Sequence, residues 1–114
     1  MHEVSLVTSL VDQVKTLAER ENFTRVQKLN LAVGAFSGVS LDAIEFCFPE
    51  VIKNTLLEGA ELAIEKIPLR VECLDCQKES LPEDIWDLSC VHCLSQNTKI
   101  KTGKEFRIAD LIVY

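Results

Sequence analysis

Only two histidines occur in this chain, His2 and His92, too few to build an open three-histidine zinc site and a poor start for a nucleophile triad. No glycine-rich phosphate loop and no G-x-S-x-G elbow is present, so the sequence carries no catalytic constellation and reads as a non-enzyme. A basic excess is also missing. The net charge is −6 and the isoelectric point near 4.9, whereas nucleic-acid binding rests on lysines and arginines that neutralise phosphates. Lys78, Lys99, Lys101, Lys104 and Arg107 are offset by Glu72, Asp75, Glu79, Glu83, Asp84, Asp87 and Glu105, and no nucleic-acid partner is expected. No apolar run approaches the roughly 20 residues of a membrane span. Met1-His-Glu leads into an amphipathic segment instead of a basic stretch and apolar h-region, so the chain is expected to be cytoplasmic.

What is present in strength is cysteine in pairs. Cys73-Leu-Asp-Cys76 and Cys90-Val-His-Cys93 each have the spacing that wraps a tight turn around one ion, and the 13 residues between them suffice to bring the turns face to face. Four thiolates predict a closed tetrahedral site, best suited to structural zinc, with no open position for chemistry. A reducing compartment favours metal over disulfides for such pairs. Cys47, the odd thiol between Phe46 and Phe48, is expected to be a small core residue. His92, inside the second pair, is expected to face solvent on the metal turn, with an auxiliary ligand as the alternative.

The 114 residues, 47% of them hydrophobic, are enough for a modest core. Val4, Val7, Leu10, Val11, Val14, Leu17 and Ala18 recur at three- and four-residue steps and predict a first helix. Residues 25–33 alternate with the two-residue period of a strand, and Gly34 and Gly38 bracket a loop. Ser40 is placed to cap a second helix through Leu41, Ile44, Phe48, Val51, Ile52 and Leu56, with Pro49 expected to kink or restart it. A strand over 61–67 ends at Pro68, and the apolar run from Glu105 to Tyr114 predicts a last strand that returns to the first core.

The cysteine segment is then an insertion, which gives an α+β fold: a small mixed three-stranded sheet with two helices and an inserted zinc-ribbon-like domain. The expected divisions are 1–69 for the first domain, 70–103 for the insert and 104–114 for the returning strand. A segment of about 34 residues is too short for its own core, whereas structural zinc supplies about 10–16 kcal/mol in small peptides, so metal should decide whether the insert folds.

His2 is the second sharp feature. A bulky second residue should leave Met1 untrimmed, so that its amine, the His2 main-chain nitrogen and the imidazole can chelate one ion, with the Glu3 nitrogen or a side chain completing a plane. Such a nitrogen-rich set suits Ni(II) or Cu(II). Taken alone, His2 reads better as a frayed terminus with no task.

The rest of the chain reverses that. Met1-His-Glu, the Val33-Gly-Ala-Phe-Ser-Gly-Val39 loop, the Leu57-Glu-Gly-Ala60 turn and the two cysteine pairs occur in the order of one family. Nearly end to end, the chain resembles the HypA/HybF proteins, nickel chaperones of [NiFe]-hydrogenase maturation. The resemblance implies nickel held at Met1, His2 and Glu3, and zinc held by Cys73, Cys76, Cys90 and Cys93. It further implies a HypB-type GTPase partner and delivery of nickel to the hydrogenase large subunit. Monomer and homodimer are both open. Where the family commonly has Cys-Pro-x-Cys-Gly at the second pair, this chain has Val91 for the proline and Leu94 for the glycine, and Gln77 follows the first pair, which puts the shape of the zinc turns in question. The rival readings are a zinc-ribbon adaptor with no nickel role and a rubredoxin-type electron carrier, the latter leaving the α/β portion unexplained.

Overall fold

The computed structural model describes residues 2–82 and 86–114, with His2 described through its backbone alone. Met1 of the expected nickel site lies outside the described residues, as do Glu83 and Asp84 of the expected local charge balance. Elements follow in the order α1 (His2–Glu21), β1 (Val26–Gly34), α2 (Leu41–Val51), β2 (Glu61–Ile67), β3 (Arg70–Cys73), β4 (Glu79–Ser80), β5 (Thr98–Thr102) and β6 (Phe106–Val113).

One three-stranded sheet has the order β2-β1-β6. Ala35 N–H donates to the Ile67 carbonyl at 2.9 Å, and Lys28 lies near Glu61, so β2 runs parallel to β1 with α2 as the crossover. Gly34 N–H donates to the Glu105 carbonyl while Tyr114 N–H donates to that of Arg25, so β6 runs antiparallel. The sheet is mixed, and the final strand returns to β1 as the sequence predicts. A second sheet, order β4-β3-β5, is wholly antiparallel, with Val71 opposite both Ser80 and Ile100.

The fold divides into two compact units, one of residues 1–31, 39–64 and 108–114, the other of residues 32–38 and 65–107. In the first, α1 buries Val7, Leu10, Val11 and Val14, and α2 buries Ile44 and Phe48. Val26, Leu29 and Leu31 of β1 are buried as well, together with Ile52 and Leu57. The buried stripe of α1 begins at Glu3, one turn before Val7, and Val4 is exposed, which corrects the apolar stripe drawn from the sequence. Asn22 adopts the left-handed conformation (φ 60°), and Phe23 N–H donates back to the Ala18 carbonyl, closing α1 as a Schellman turn.

Ser40 caps α2 by accepting the Ala43 N–H at 3.2 Å. Pro49 lies inside the helix, which does not restart after it. The proline occupies the last turn, and α2 ends two residues later at Val51, so Ile52 and Leu56 follow the helix instead of extending it.

In the second unit Leu69, Val71, Cys73 and Cys90 are buried, and three main-chain bonds gather the loop after β1. Gly34 N–H, Ala35 N–H and Phe36 N–H donate to the carbonyls of Glu105, Ile67 and Gly103 at 2.7, 2.9 and 2.6 Å. This loop therefore grips both stretches through which the chain enters and leaves the cysteine segment.

Candidate metal centre

Two turns of the same construction carry the cysteines. Gln77 N–H donates to the Cys73 carbonyl at 3.0 Å and Leu94 N–H to that of Cys90 at 2.9 Å, so residues 73–77 and 90–94 curl alike. Each turn ends with a residue of positive φ, Gln77 at 63° and Leu94 at 64°. The missing glycines thus leave the turn geometry intact, and two ordinary residues hold a conformation that disfavours them by about 1–2 kcal/mol each.

Main-chain N–H groups converge on the sulfurs. Cys73 Sγ accepts from Asp75 and Cys76, each at 3.4 Å, and Cys90 Sγ accepts from His92 at 3.4 Å. The four Sγ atoms lie within 4.8 Å of one another, with Cys73 to Cys93 and Cys76 to Cys90 both at 3.6 Å. Zinc–sulfur bonds of about 2.3 Å in a tetrahedron place neighbouring sulfurs about 3.8 Å apart, so the cluster fits one such ion with only small adjustments. Cys73 and Cys90 are buried, Cys76 is half-buried and Cys93 is exposed. Among the described residues no other group of three or more His, Cys, Asp or Glu side chains is gathered this way.

The thiols differ in acidity. The Cys93 N–H, then that of His92, outweigh desolvation at Cys90 and draw its thiol down to about 6. Cys73 is lowered too, chiefly by the Cys76 N–H. At Cys93 the Ser95 N–H pulls downward, but the neighbouring sulfur of Cys73 and desolvation outweigh it and push the thiol up to about 12. Cys76 is raised in a similar contest: the Lys78 N–H lowers it, and desolvation with the sulfurs of Cys90 and Cys73 prevails. The first cysteine of each pair is thus the more acidic thiol and the second the less acidic.

His92 does not join the sulfurs. Its Nε2 donates to the Glu79 carbonyl at 3.2 Å, tying the second turn to β4. Lys101 bridges Glu79 and Glu72 at 2.8 and 3.3 Å, and Arg70 approaches Glu79 at 3.6 Å. Lys101 holds Glu79 below the usual carboxylate range, but these groups are half-exposed and add little stability. Asp75 is lowered likewise by Ser95 and Asn97, which donate to it. Cys47 stands apart, half-buried, with Sγ 3.7 Å from the Ile44 carbonyl.

Of the expected nickel residues, His2 opens α1 and Glu3 is buried in its first turn. The residues that sequence reasoning missed are those that lock the turns together: Ser95 and Asn97 on Asp75, and Glu79 on His92. Nothing in local spacing marks them.

Comparison with known proteins is consistent along the whole chain. The family model described as "Hydrogenase/urease nickel incorporation, metallochaperone, hypA" matches residues 1–113. The hydrogenase maturation factor HypA of Geobacter metallireducens is 40% identical over 113 residues, covering 99% of both chains. That of Syntrophus aciditrophicus is 37% identical over 114 residues, again covering 99% of both. The solution structure of the Ni metallochaperone HypA from Helicobacter pylori aligns with a TM-score of 0.73 at 25% identity, covering 99% of this chain and 97% of that one.

Proposed function

The chain belongs to the HypA family of hydrogenase maturation nickel metallochaperones, and from that premise we propose that it carries one exchangeable Ni(II) at its N-terminus while zinc staples the four cysteines. The observation that carries this reading is the family match over residues 1–113, which takes in both Met1-His-Glu and the cysteine pairs. The work is transfer without covalent chemistry, so the nickel site must hold its ion against water and still release it. His2 supplies the imidazole, and Met1, His2 and Glu3 supply main-chain nitrogens.

The start of α1 supports that assignment. The first four N–H groups of a helix have no intrahelical acceptor, so ligation of the His2 and Glu3 nitrogens breaks no helical bond, and the positive helix end favours their deprotonation. Burial of Glu3 leaves its main-chain nitrogen as its natural contribution. A closed tetrathiolate is a poor donor of cargo, which fits zinc in a resident role. In this reading nickel passes between a HypB-type GTPase and the hydrogenase large subunit in the cytoplasm. No helix among the described residues is long and apolar enough to cross a membrane.

Calorimetric titration with Ni(II) tests the site. Imidazole must be neutral to bind metal, so affinity should fall as pH drops through about 6.5. Extending the N-terminus by a short tag should abolish tight binding, and unchanged affinity in the extended protein would remove the terminal amine from the site.

A further inference from the structure

We propose that Asp75 is a positioning residue that ties the two cysteine turns into one preassembled site before any metal arrives. The inference rests on reading the four sulfurs as the resident metal site, and it concerns side chains that ligate nothing.

Asp75 lies between Cys73 and Cys76, but its carboxylate is occupied with the other turn. One oxygen accepts the Ser95 hydroxyl and the other accepts the Asn97 amide, Nδ2 at 3.3 Å. Ser95 and Asn97 sit two and four residues after Cys93, on the chain that leaves the second turn. That stretch is itself braced, because Asn97 N–H donates to Ser95 Oγ at 3.0 Å. It is also bonded to the start of both turns. Cys90 N–H donates to the Ser95 carbonyl at 2.8 Å, and Leu74 N–H donates to the Asn97 carbonyl at 2.9 Å. Four contacts from the two turns therefore converge on Ser95 and Asn97, and Asp75 is the side chain that connects them to the first turn.

None of these bonds uses a sulfur. They hold the two turns face to face whether or not an ion is present. A site that is already assembled loses less freedom on binding, and groups of this outer kind commonly change metal affinity by about 10–100-fold.

The test uses Co(II) as a probe of the four sulfurs in the full-length chain, followed by thiolate charge-transfer and d–d absorption, with Zn(II) competition for affinity. Wild type is compared with Asp75→Ala, Asp75→Asn, Ser95→Ala and Asn97→Ala, and far-UV circular dichroism confirms that α1 and α2 remain formed in each. Asp75→Ala should bind about 10–100-fold more weakly, with broadened d–d bands. Asp75→Asn should recover part of the loss, since its amide oxygen still accepts from Ser95. Ser95→Ala and Asn97→Ala, which keep the carboxylate, should each weaken binding, and Asp75→Ala combined with Asn97→Ala should be no worse than Asp75→Ala alone, because the Asn97 side chain acts through Asp75.

If the carboxylate acted only as a negative charge near the cation, Ser95→Ala and Asn97→Ala would bind like wild type and Asp75→Asn would be as weak as Asp75→Ala. That pattern overturns the proposal, as does wild-type affinity and spectrum in Asp75→Ala. Absence of thiolate charge transfer in wild type would overturn the metal-site reading and the proposal with it.

Discussion

Gly34 passes so close to Gly103 that a β-carbon on it would stand 2.2 Å from the Gly103 carbonyl carbon and oxygen. The obstacle is main chain, which cannot rotate away. Both glycines belong to the knot in which the loop after β1 bonds to Gly103 and Glu105, so any shift breaks hydrogen bonds of 2.6 and 2.7 Å. Gly34→Ala should destabilise by about 3 kcal/mol, the upper end of overpacking costs. Gly38→Ala is the control: its φ is +79° with nothing within 4 Å, and backbone conformation alone should lower stability by about 1 kcal/mol. Urea unfolding of the two variants separates these effects, and equal losses would mean that the close approach is not what fixes glycine at position 34.

Leu94 and Gln77 hold left-handed backbone at the ends of the cysteine turns, and Leu94 is also 78% exposed. Relief of that conformation should return about 1–2 kcal/mol, and glycine's greater unfolded-state entropy should take back about 0.5–1. Leu94→Gly and Gln77→Gly should therefore each stabilise the metal-loaded protein by roughly 0.5 kcal/mol. Chemical denaturation in the presence of zinc measures it, and a loss greater than 1 kcal/mol in either variant would contradict the account of the turns.

The split acidity of the cysteines makes zinc binding a proton-releasing event. With Cys93 held at about 12 and Cys76 also raised, both carry protons in the metal-free chain near neutrality, whereas Cys90, at about 6, is already a thiolate. Ligation requires four thiolates, so binding between pH 7 and 8 should expel two protons, or three with Cys73. Affinity should then rise at least about 100-fold per pH unit in that window, and more steeply below pH 6 where Cys90 is protonated as well. A pH-indicator dye counts the protons directly. Release of fewer than one would show that all four sulfurs are ionised beforehand.

The sequence was most informative where many residues repeat one pattern. Residues 61–67 are a strand with the expected ends, and the burial of α1 follows the stripe over Val7, Leu10, Val11 and Val14. The alternation ending at Val33 marks β1, but burial there does not alternate, since Val26 and Ala32 of the other phase are buried and Gln27 is exposed. The four cysteines were legible because ligand chemistry constrains spacing directly. The strands β3, β4 and β5 were not, because they are two to five residues long and rest on few apolar side chains, chiefly Val71 opposite Ile100. Periodicity over so short a span is indistinguishable from a loop. Glu3 was read for its main-chain nitrogen, and its burial on the α1 stripe stayed hidden because one carboxylate among valines and leucines looks like the polar edge of a helix. The tie from Asp75 to Ser95 and Asn97 spans 20 to 22 residues between polar side chains that carry no pattern of their own.

The central claim is a division of labour between two metal sites at opposite kinds of ligand, nitrogen at the N-terminus and sulfur in the turns. Metal content of untagged protein, before and after nickel exposure and gel filtration, tests it most directly when wild type is set beside His2→Ala. The account predicts one zinc per chain in both proteins throughout, and one nickel per chain acquired by wild type alone. Nickel retained by His2→Ala, or nickel gained at the expense of zinc, would contradict it.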